Sequence, residues 1–512
     1  MGRSALDLST EALYKTVIKL RTLEPIPAWA KELSEFVNRL LKKVNTNEEF
    51  RFDPPKIIPA EKDRGKHKFR PIAAFSLEDK IIDSLTARYL RRMLDAALCP
   101  SCMAFRCRQK GAAPPTIHTA LDKLYNMNRR HRSRHLYVAE CDIQSFFDCV
   151  SHDVARSSLR ELIEDAKRRS PGCEIYPRAL HIFDAYLDAY SFYTSVKSKE
   201  GSLLAPIDPK GEFKWPEADL QKLHCGFSLK RIGVPQGGAL SCLIANTVLH
   251  SADKALRTLR TKRKFLYMRY CDDMVLVAPS LLTCRMAFDQ YARSLKQKLL
   301  PIHSPKEMDS YDSAFWKEKS KSPYRWGPAM MPGRVPWVQF VGYQVRYDGL
   351  VRVRPSSIKR QLKKMTRSAD DLLKKLNPGY RKGRKLPPFA TGLRKSNHQI
   401  VHRFRQRLIS MGVGRIVLGE NSTRPKPMCW ANGFEGLVGK RIVRSWLKVL
   451  DRHQERQVRR IKTRLMQRED KPSKDKKPKG VYRYYGAPFS YWGQFADGKK
   501  KSPKSKRRLV LA

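Results

Sequence analysis

The chain has 512 residues, of which 103 are Lys or Arg and 49 are Asp or Glu, giving a formal net charge of +54. Such a surplus repels itself unless a polyanion neutralises it, so nucleic acid is the expected partner. A membrane-surface role would need a lipidated or polybasic anchoring segment. The start Met1-Gly2-Arg3-Ser4 lacks a myristoylation pattern, no signal-peptide or membrane-length apolar run occurs, and a cytoplasmic protein without a membrane partner is expected.

Residues 1–50 are predicted to form a helical extension. Ser9-Thr10-Glu11 offers a capping start, and LYKTVIKLRTL and ELSEFVNRLLKKV carry apolar residues three and four apart. FRPIAAFSLEDKIIDSLTARYLRRML (69–94) reads as a strand running into an amphipathic helix. In CPSCMAFRC, Cys99, Cys102 and Cys107 are either buried thiols or, with His118, a zinc site; one CxxC without a second pair favours thiols.

HLYVAECDIQSFFDCV (135–150) reads as a strand ending on acidic and aromatic side chains. A stretch of about 160–224 carries helices and then PIDPKGEFKWPE, a Pro/Gly/charged surface loop. GVPQGGALSCLIANTVLHSADKAL (233–256) is a turn entering a helix, and KFLYMRYCDDMVLVAP (264–279) is a hairpin about an acidic pair. WVQFVGYQVRYDGLVRVRPSS (337–357) is a further hairpin with Asp348-Gly349 as its turn. Beyond 356 the pattern is helical and strongly basic, broken at 378–396 and 414–433. A charged linker then leads to GVYRYYGAPFSYWGQF and a basic end, expected to be disordered when free.

Asp272 and Asp273 stand side by side within an apolar run, where two carboxylates do not readily ionise together unless positive charge stands beside them. A pair of divalent metals meets that need, as in two-metal phosphoryl transfer. Such metals take further oxygen ligands from another element, and Asp142, at the end of its own predicted strand, is the natural partner.

Asp142 in a D-I-x-x-F-F frame, GVPQGGALSCLIAN and Tyr270-Cys271-Asp272-Asp273 stand in the order of the reverse transcriptase palm. With GKHKFRPI and QFVGYQV, the chain resembles that family from about residue 56 to at least Ser357. The resemblance implies an α+β right-hand polymerase fold with fingers, a palm of antiparallel sheet packed on helices, and a helical thumb. The corresponding segments are 1–50 (extension), 51–355 (fingers and palm, with an insertion at about 160–224), 356–467 (basic thumb) and 468–512 (basic, aromatic-containing tail).

It further implies an RNA-directed DNA polymerase, a nucleotidyltransferase using two Mg²⁺ ions, with Mn²⁺ able to substitute. Asp142 and Asp272 would be the principal metal ligands, Asp273 a supporting carboxylate, and the Ile143 carbonyl an additional ligand. Phe147 would exclude a ribose 2′-OH, or else be a core aromatic. Gln236 would lie against the incoming nucleotide, with Gly237 and Gly238 allowing close backbone approach. Lys66 and Arg70 would hold the triphosphate. Lys306 would protonate the leaving pyrophosphate, or else be a solvated surface lysine. Arg106 matches the family's Phe-Arg segment, with a phosphate-facing surface arginine as the alternative, and WVQFVGYQV matches the hairpin that grips the primer end.

Three departures from the pattern stand out: Cys271 where many bacterial members carry Ala, Val341 in place of Leu, and a long interval between Asp142 and Gln236. The implied partners are an RNA template, expected to be a dedicated noncoding RNA, together with dNTPs and a DNA product; a homo-oligomer is left open. No HNH-like cysteine cluster is seen, and the resemblance leans to the bacterial defence-associated, anti-phage class. Retron-type or mobile-element enzymes, untemplated or protein-primed synthesis, and a non-enzymatic RNA-binding protein are the alternatives. In the tail, Tyr482, Tyr484, Tyr485, Phe489, Tyr491 and Trp492 would pack on the thumb or stack on RNA bases.

Overall fold

The computed structural model describes residues 33–45, 49–63, 68–107, 113–131, 135–197, 212–213, 215–307, 315, 318–328, 334–378, 396–413 and 430–467. Lys66, the start of the N-terminal extension and the C-terminal aromatic tail therefore lie outside the described residues. The chain divides into two compact units, Met1–Ala120 with Ser133–Val335, and Leu121–Arg132 with Pro336–Ala512.

The first unit is α+β. β1 (Lys56–Asp63) and β2 (Lys68–Ala74) form an antiparallel hairpin with Ala60 opposite Arg70. β3 (Leu136–Cys141) is the middle strand of a second sheet, while β4 (Glu212–Phe213) adds parallel to β2. β5 (Leu266–Tyr270), β6 (Asp273–Ala278), β7 (Lys321–Trp326) and β8 (Arg334–Val335) complete the second sheet in the order β5-β6-β3-β7-β8. β3 has neighbours on both edges and is almost wholly buried, which explains its near-continuous apolar run. Its one acid, Glu140, accepts hydrogen bonds from Lys321 Nζ at 2.6 Å and Tyr324 Oη at 2.7 Å, both from β7. A buried charge of this kind is tolerated because it is paired and hydrogen-bonded.

Helices close this core. Leu77–Leu94 begins where Ser76 Oγ accepts the Asp79 N–H, with Glu78 and Asp79 in its first turn and Arg91 and Arg92 in its last, the arrangement the helix dipole favours. It buries Ile81, Ile82, Leu85 and Leu90 against residues of His152–Arg169, Pro177–Asp188 and Ala239–Val248. Each such side chain contributes about 1.5–3 kcal/mol. Helices of the stretch expected as an insertion, about 160–224, take part in this packing. Leu162, Ile163, Ile182, Phe183, Tyr186 and Leu187 belong to the main core, so these helices are integral to the unit.

In the second unit, β9 (Trp337–Phe340), β10 (Tyr343–Arg346) and β11 (Val351–Val353) form a three-stranded antiparallel sheet. The single hairpin expected over 337–357 is thus two, turning at Val341-Gly342 as well as at Asp348-Gly349. Arg346 grips Asp348 through two hydrogen bonds, at 2.8 and 2.7 Å, and so shapes the second turn. The sequence grouped these strands with residues 51–355, whereas the compact division places them after Val335.

The helix Pro355–Leu376 starts with proline in its first turn and buries Ile358, Met365, Ala369, Leu373 and Leu376. Within this unit it packs on Ser445–Leu465, where Thr366 Oγ1 meets His453 Nε2 at 2.9 Å and Arg460 pairs with Asp370 at 2.7 Å. Lys359, Arg360, Lys363, Lys364 and Arg367 remain exposed, as do Arg452, Arg456, Arg459 and Lys462. Among the described residues no helix is long and apolar enough to cross a membrane.

Candidate active site

The acidic pair sits at the tip of the β5–β6 hairpin. Tyr270 pairs with Asp273, so only Cys271 and Asp272 make the turn, and Cys271 takes φ 60°. A non-glycine residue in this left-handed region costs roughly 1–2 kcal/mol and persists where its surroundings enforce it. The enforcing group is Arg269, fully buried. Its Nη1 donates to the Cys271 carbonyl at 2.8 Å, and its Nη2 and Nε reach the two Asp253 oxygens at 2.6 and 3.1 Å. Tyr267 Oη donates to the same carboxylate at 2.7 Å, and the Arg269 main chain is tied to Ser101 and Met103.

The register that sets Cys141 opposite Met274 carries Asp142, the next residue, alongside this turn. The Asp142 N–H donates to Ser320 Oγ at 3.0 Å, and its carbonyl accepts the His303 N–H at 3.1 Å. Its Oδ2 meets Lys319 Nζ at 3.0 Å and His303 Nε2 at 3.5 Å. Burial pushes the Asp272 carboxyl up from its usual range and the Asp142 charge adds to that rise, while its own backbone N–H, Cys271 and the Arg70 charge work against it. Asp142, Asp272 and Arg70 thus converge electrostatically from three elements. Asp273 is exposed at the start of β6.

Beyond Asp142, Ile143 is buried and bridges Ile302, and Ser145 at φ 44° opens the short helix Phe146–Cys149. Phe146 lies in the core. The Phe147 ring, half-buried, stands edge-on to it with centroids 5.2 Å apart. The segment 215–223 supports this loop directly, because Trp215 Nε1 donates to the Asp148 carbonyl at 2.8 Å and Gln144 Nε2 donates to Asp219 at 3.0 Å.

Gln236 is fixed between motifs. Val234 N–H donates to the Phe147 carbonyl at 2.7 Å, Ala73 N–H of β2 donates to the Gln236 carbonyl at 3.0 Å, and Gln236 Nε2 donates to Asp148 Oδ1 at 2.7 Å. Gly237, at φ +107°, occupies a conformation that side chains rarely adopt. The reason for Gly238 differs from the expected close approach to a ligand: a Cβ there would lie 1.7 Å from Tyr186 Oη, a core residue. The helix that follows is capped by Asp83, whose two oxygens accept the Ala239 and Leu240 N–H groups at 2.7 and 2.8 Å. Burial, offset in part by these N–H groups, raises the Asp83 carboxyl to about 6.

Lys306 lies beside this centre through its backbone, bridging Ser320 and Ser322, with its side chain exposed. The lysine on Asp142 is Lys319, which the sequence reading missed together with His303, Arg269, Asp253 and Asp148. Arg106 does not face phosphate: it is a strut, donating to Asp95 Oδ1 at 2.9 Å, to the Asp95 carbonyl and to the Cys99 and Cys102 carbonyls. Cys99 and Cys102 are buried free thiols. Cys102 is raised to about 11 by burial, and its Sγ donates to Asn246 Oδ1 at 3.1 Å.

The carboxylate oxygens of Asp142, Asp272 and Asp273 are hard donors suited to Mg²⁺ or Mn²⁺. Two observations fit such a cation: the unfavourable burial of Asp272 beside another acid, and the positive Nζ already accepted at Asp142. Among the described residues no group of three or more His, Cys, Asp or Glu forms a metal-holding cluster by itself.

An acid-tipped hairpin is thus paired to the strand that leads into a third acid, in an α+β unit whose Phe147 loop and Gln236 turn are hydrogen-bonded to each other. The family model described as reverse transcriptase (RNA-dependent DNA polymerase) matches residues 58–321, just over half of the chain, and the chain belongs to that family. No curated protein matches it.

Similar solved structures include apo telomerase from Candida tropicalis truncated from its C-terminal domain, at 14% identity and TM-score 0.37, covering 64% of this chain and 60% of that one. Apo telomerase from Candida tropicalis has 12% identity and TM-score 0.38, covering 85% and 68%. Telomerase from Candida albicans with a fragment of telomeric RNA has 12% identity and TM-score 0.33, covering 86% and 65%. The chain thus spans 60–68% of the length of these neighbours.

Proposed function

We propose that this chain is an RNA-directed DNA polymerase that extends a primer with deoxynucleotides on an RNA template. The observation that carries the reading is the strand register that brings Asp142 alongside the Cys271–Asp272 turn, while the Phe147 loop and the Gln236 turn are hydrogen-bonded to one another. Asp142 and Asp272 would hold the two divalent ions, with Asp273 and the Ile143 carbonyl in support. Once bound, such ions supply Lewis-acid charge at the attacking and leaving oxygens of an in-line displacement.

The chain's own residues orient the substrate. Arg70, with Lys66, takes the triphosphate charge, and Gln236 and Gly237 line the nucleotide. On this reading the half-buried Phe147 ring would exclude a ribose 2′-OH, which favours dNTPs. Lys306 or Lys319 donates the proton to the leaving pyrophosphate. The exposed basic faces of Pro355–Leu376 and Ser445–Leu465 track the template–primer phosphates.

The template on this reading is a dedicated noncoding RNA, and the cDNA serves anti-phage defence; that biological role rests on the sequence resemblance alone. Replacing Asp272 and Asp273 together with Ala should abolish dNTP incorporation on a primed RNA while RNA retention stays at the wild-type level. Incorporation that survived would overturn the mechanism. Sequencing the RNA that co-purifies with the protein tests the partner: one discrete structured RNA supports a dedicated template, and a heterogeneous pool opposes it. RNA affinity should fall steeply with salt, since each phosphate contact releases counterions. Loss of phage protection in the doubly substituted strain tests the defence role.

A further inference from the structure

We propose that Asp148 is a positioning residue that locks the side-chain amide of Gln236 in one orientation and thereby sets how tightly the incoming nucleotide is held; this rests on reading Gln236 as nucleotide-facing. Asp148 is 5% exposed, so its carboxylate does not exchange freely between protein and water partners. The Gln236 amide reaches it at 2.7 Å from Nε2 to Oδ1. A carboxylate accepts and does not donate, so the NH₂ end of the amide faces Asp148 and Oε1 points elsewhere. Flipping the amide would set oxygen against oxygen inside the protein, where an unmet charge is costly. The second N–H and Oε1 are left for a ligand.

The backbones on both sides of this bond are fixed independently. Asp148 N–H donates to the Ser145 carbonyl, its own carbonyl accepts Trp215 Nε1, and Gly233 N–H donates to Val150. On the other side the Gln236 carbonyl accepts from Ala73 in β2. The freedom that remains is the rotation of the Gln236 side chain, and Asp148 holds that rotation. Because Asp148 directly follows Phe147 in the Phe146–Cys149 turn, the same bond joins the aromatic wall and the amide into one rigid body. A contact to the nucleotide that is already made in the ground-state complex acts on KM more than on kcat.

The test is steady-state dNTP incorporation by the full chain on a primed RNA, with Asp148→Ala, Asp148→Asn, Gln236→Ala and the double variants. Asp148→Ala should raise KM for dNTP about tenfold, and the isosteric Asp148→Asn about threefold, with kcat within about twofold of wild type. Both effects should vanish in the Gln236→Ala background, since the amide to be positioned is gone. An Asp148 that was merely structural would lower kcat and the unfolding temperature together, equally with and without Gln236, and that additivity overturns the proposal. If Gln236→Ala leaves KM unchanged, the reading of Gln236 itself is wrong. If Gln236→Ala raises KM and neither Asp148 variant does, only the positioning role is lost. Asp148→Asn keeps the test decisive should Asp148→Ala not fold.

Discussion

Between β5 and β6 the chain reverses over Cys271 and Asp272, and between β9 and β10 it reverses over Val341 and Gly342. Both turns put a non-glycine residue at positive φ, 60° at Cys271 and 43° at Val341. In the second turn the next residue is glycine at φ 89°, which takes a left-handed conformation at little cost. In the first turn that place belongs to an acid, and the strain at Cys271 is held by the buried Arg269–Asp253 pair beneath it. A hairpin with no acid at its turn can use glycine. One that must present a carboxylate at its tip needs support from the core.

The largest expected effect comes from removing that support. Arg269→Met should destabilise the protein by about 3–5 kcal/mol, because it leaves Asp253 buried without its cation. Urea unfolding measures it, and a loss below about 1 kcal/mol would mean that the pair does not brace the turn.

A third turn, Gln236–Gly238, is braced by a carboxylate instead, and pH separates the two kinds of support. The Asp83 carboxyl is raised from its ordinary value of 3.8 to about 6 in the folded protein. Its contribution to stability is therefore fully present below pH 4 and lost as pH rises through about 6, by up to about 3 kcal/mol. Urea melts at pH 4.5 and 7.5 should show this decline in the wild type relative to Asp83→Asn, which lacks the titrating group. Parallel pH profiles for the two proteins would contradict it.

Smaller effects distinguish the two hairpins. Cys271→Val should cost about 1–2 kcal/mol, since a β-branched side chain suits positive φ badly, while Cys271→Gly should stay within about 1 kcal/mol of wild type. The smallest effect is Gly342→Ala, about 1 kcal/mol. Its new Cβ would meet Phe434 at an ordinary 3.8 Å, so only backbone strain is added. Thermal unfolding ranks all three, and a Gly342→Ala penalty exceeding that of Cys271→Val would reverse the comparison.

Much of the first unit was legible in the sequence because its signals are local. The run 135–150 announced β3 and the run 264–279 announced the β5–β6 hairpin, and Asp142, Asp272 and Asp273 stand out as acids ending or interrupting apolar strands. Gly237 was singled out for close approach to a nucleotide, whereas the fold requires glycine there for its φ of +107°. Less accessible were the reason for Gly238, which depends on a tyrosine from the helix Pro177–Asp188, and the core role of the residues assigned to an insertion. Arg106 shows the limit most plainly. An arginine in a loop is the same letter whether it meets a phosphate or the carbonyls of Cys99 and Cys102.

By itself, then, the sequence determined the strands, the helices and which acids end on them, because alternation, capping and turn chemistry act over a few neighbouring residues. Tertiary structure alone decided the pairings: Arg269 with Asp253 under the turn, Lys319 on Asp142, Asp148 on Gln236 and Asp83 on the next helix. Such pairs join residues distant in the chain. Whether a buried charge finds its partner is settled by sheet order and strand register, which no local pattern encodes.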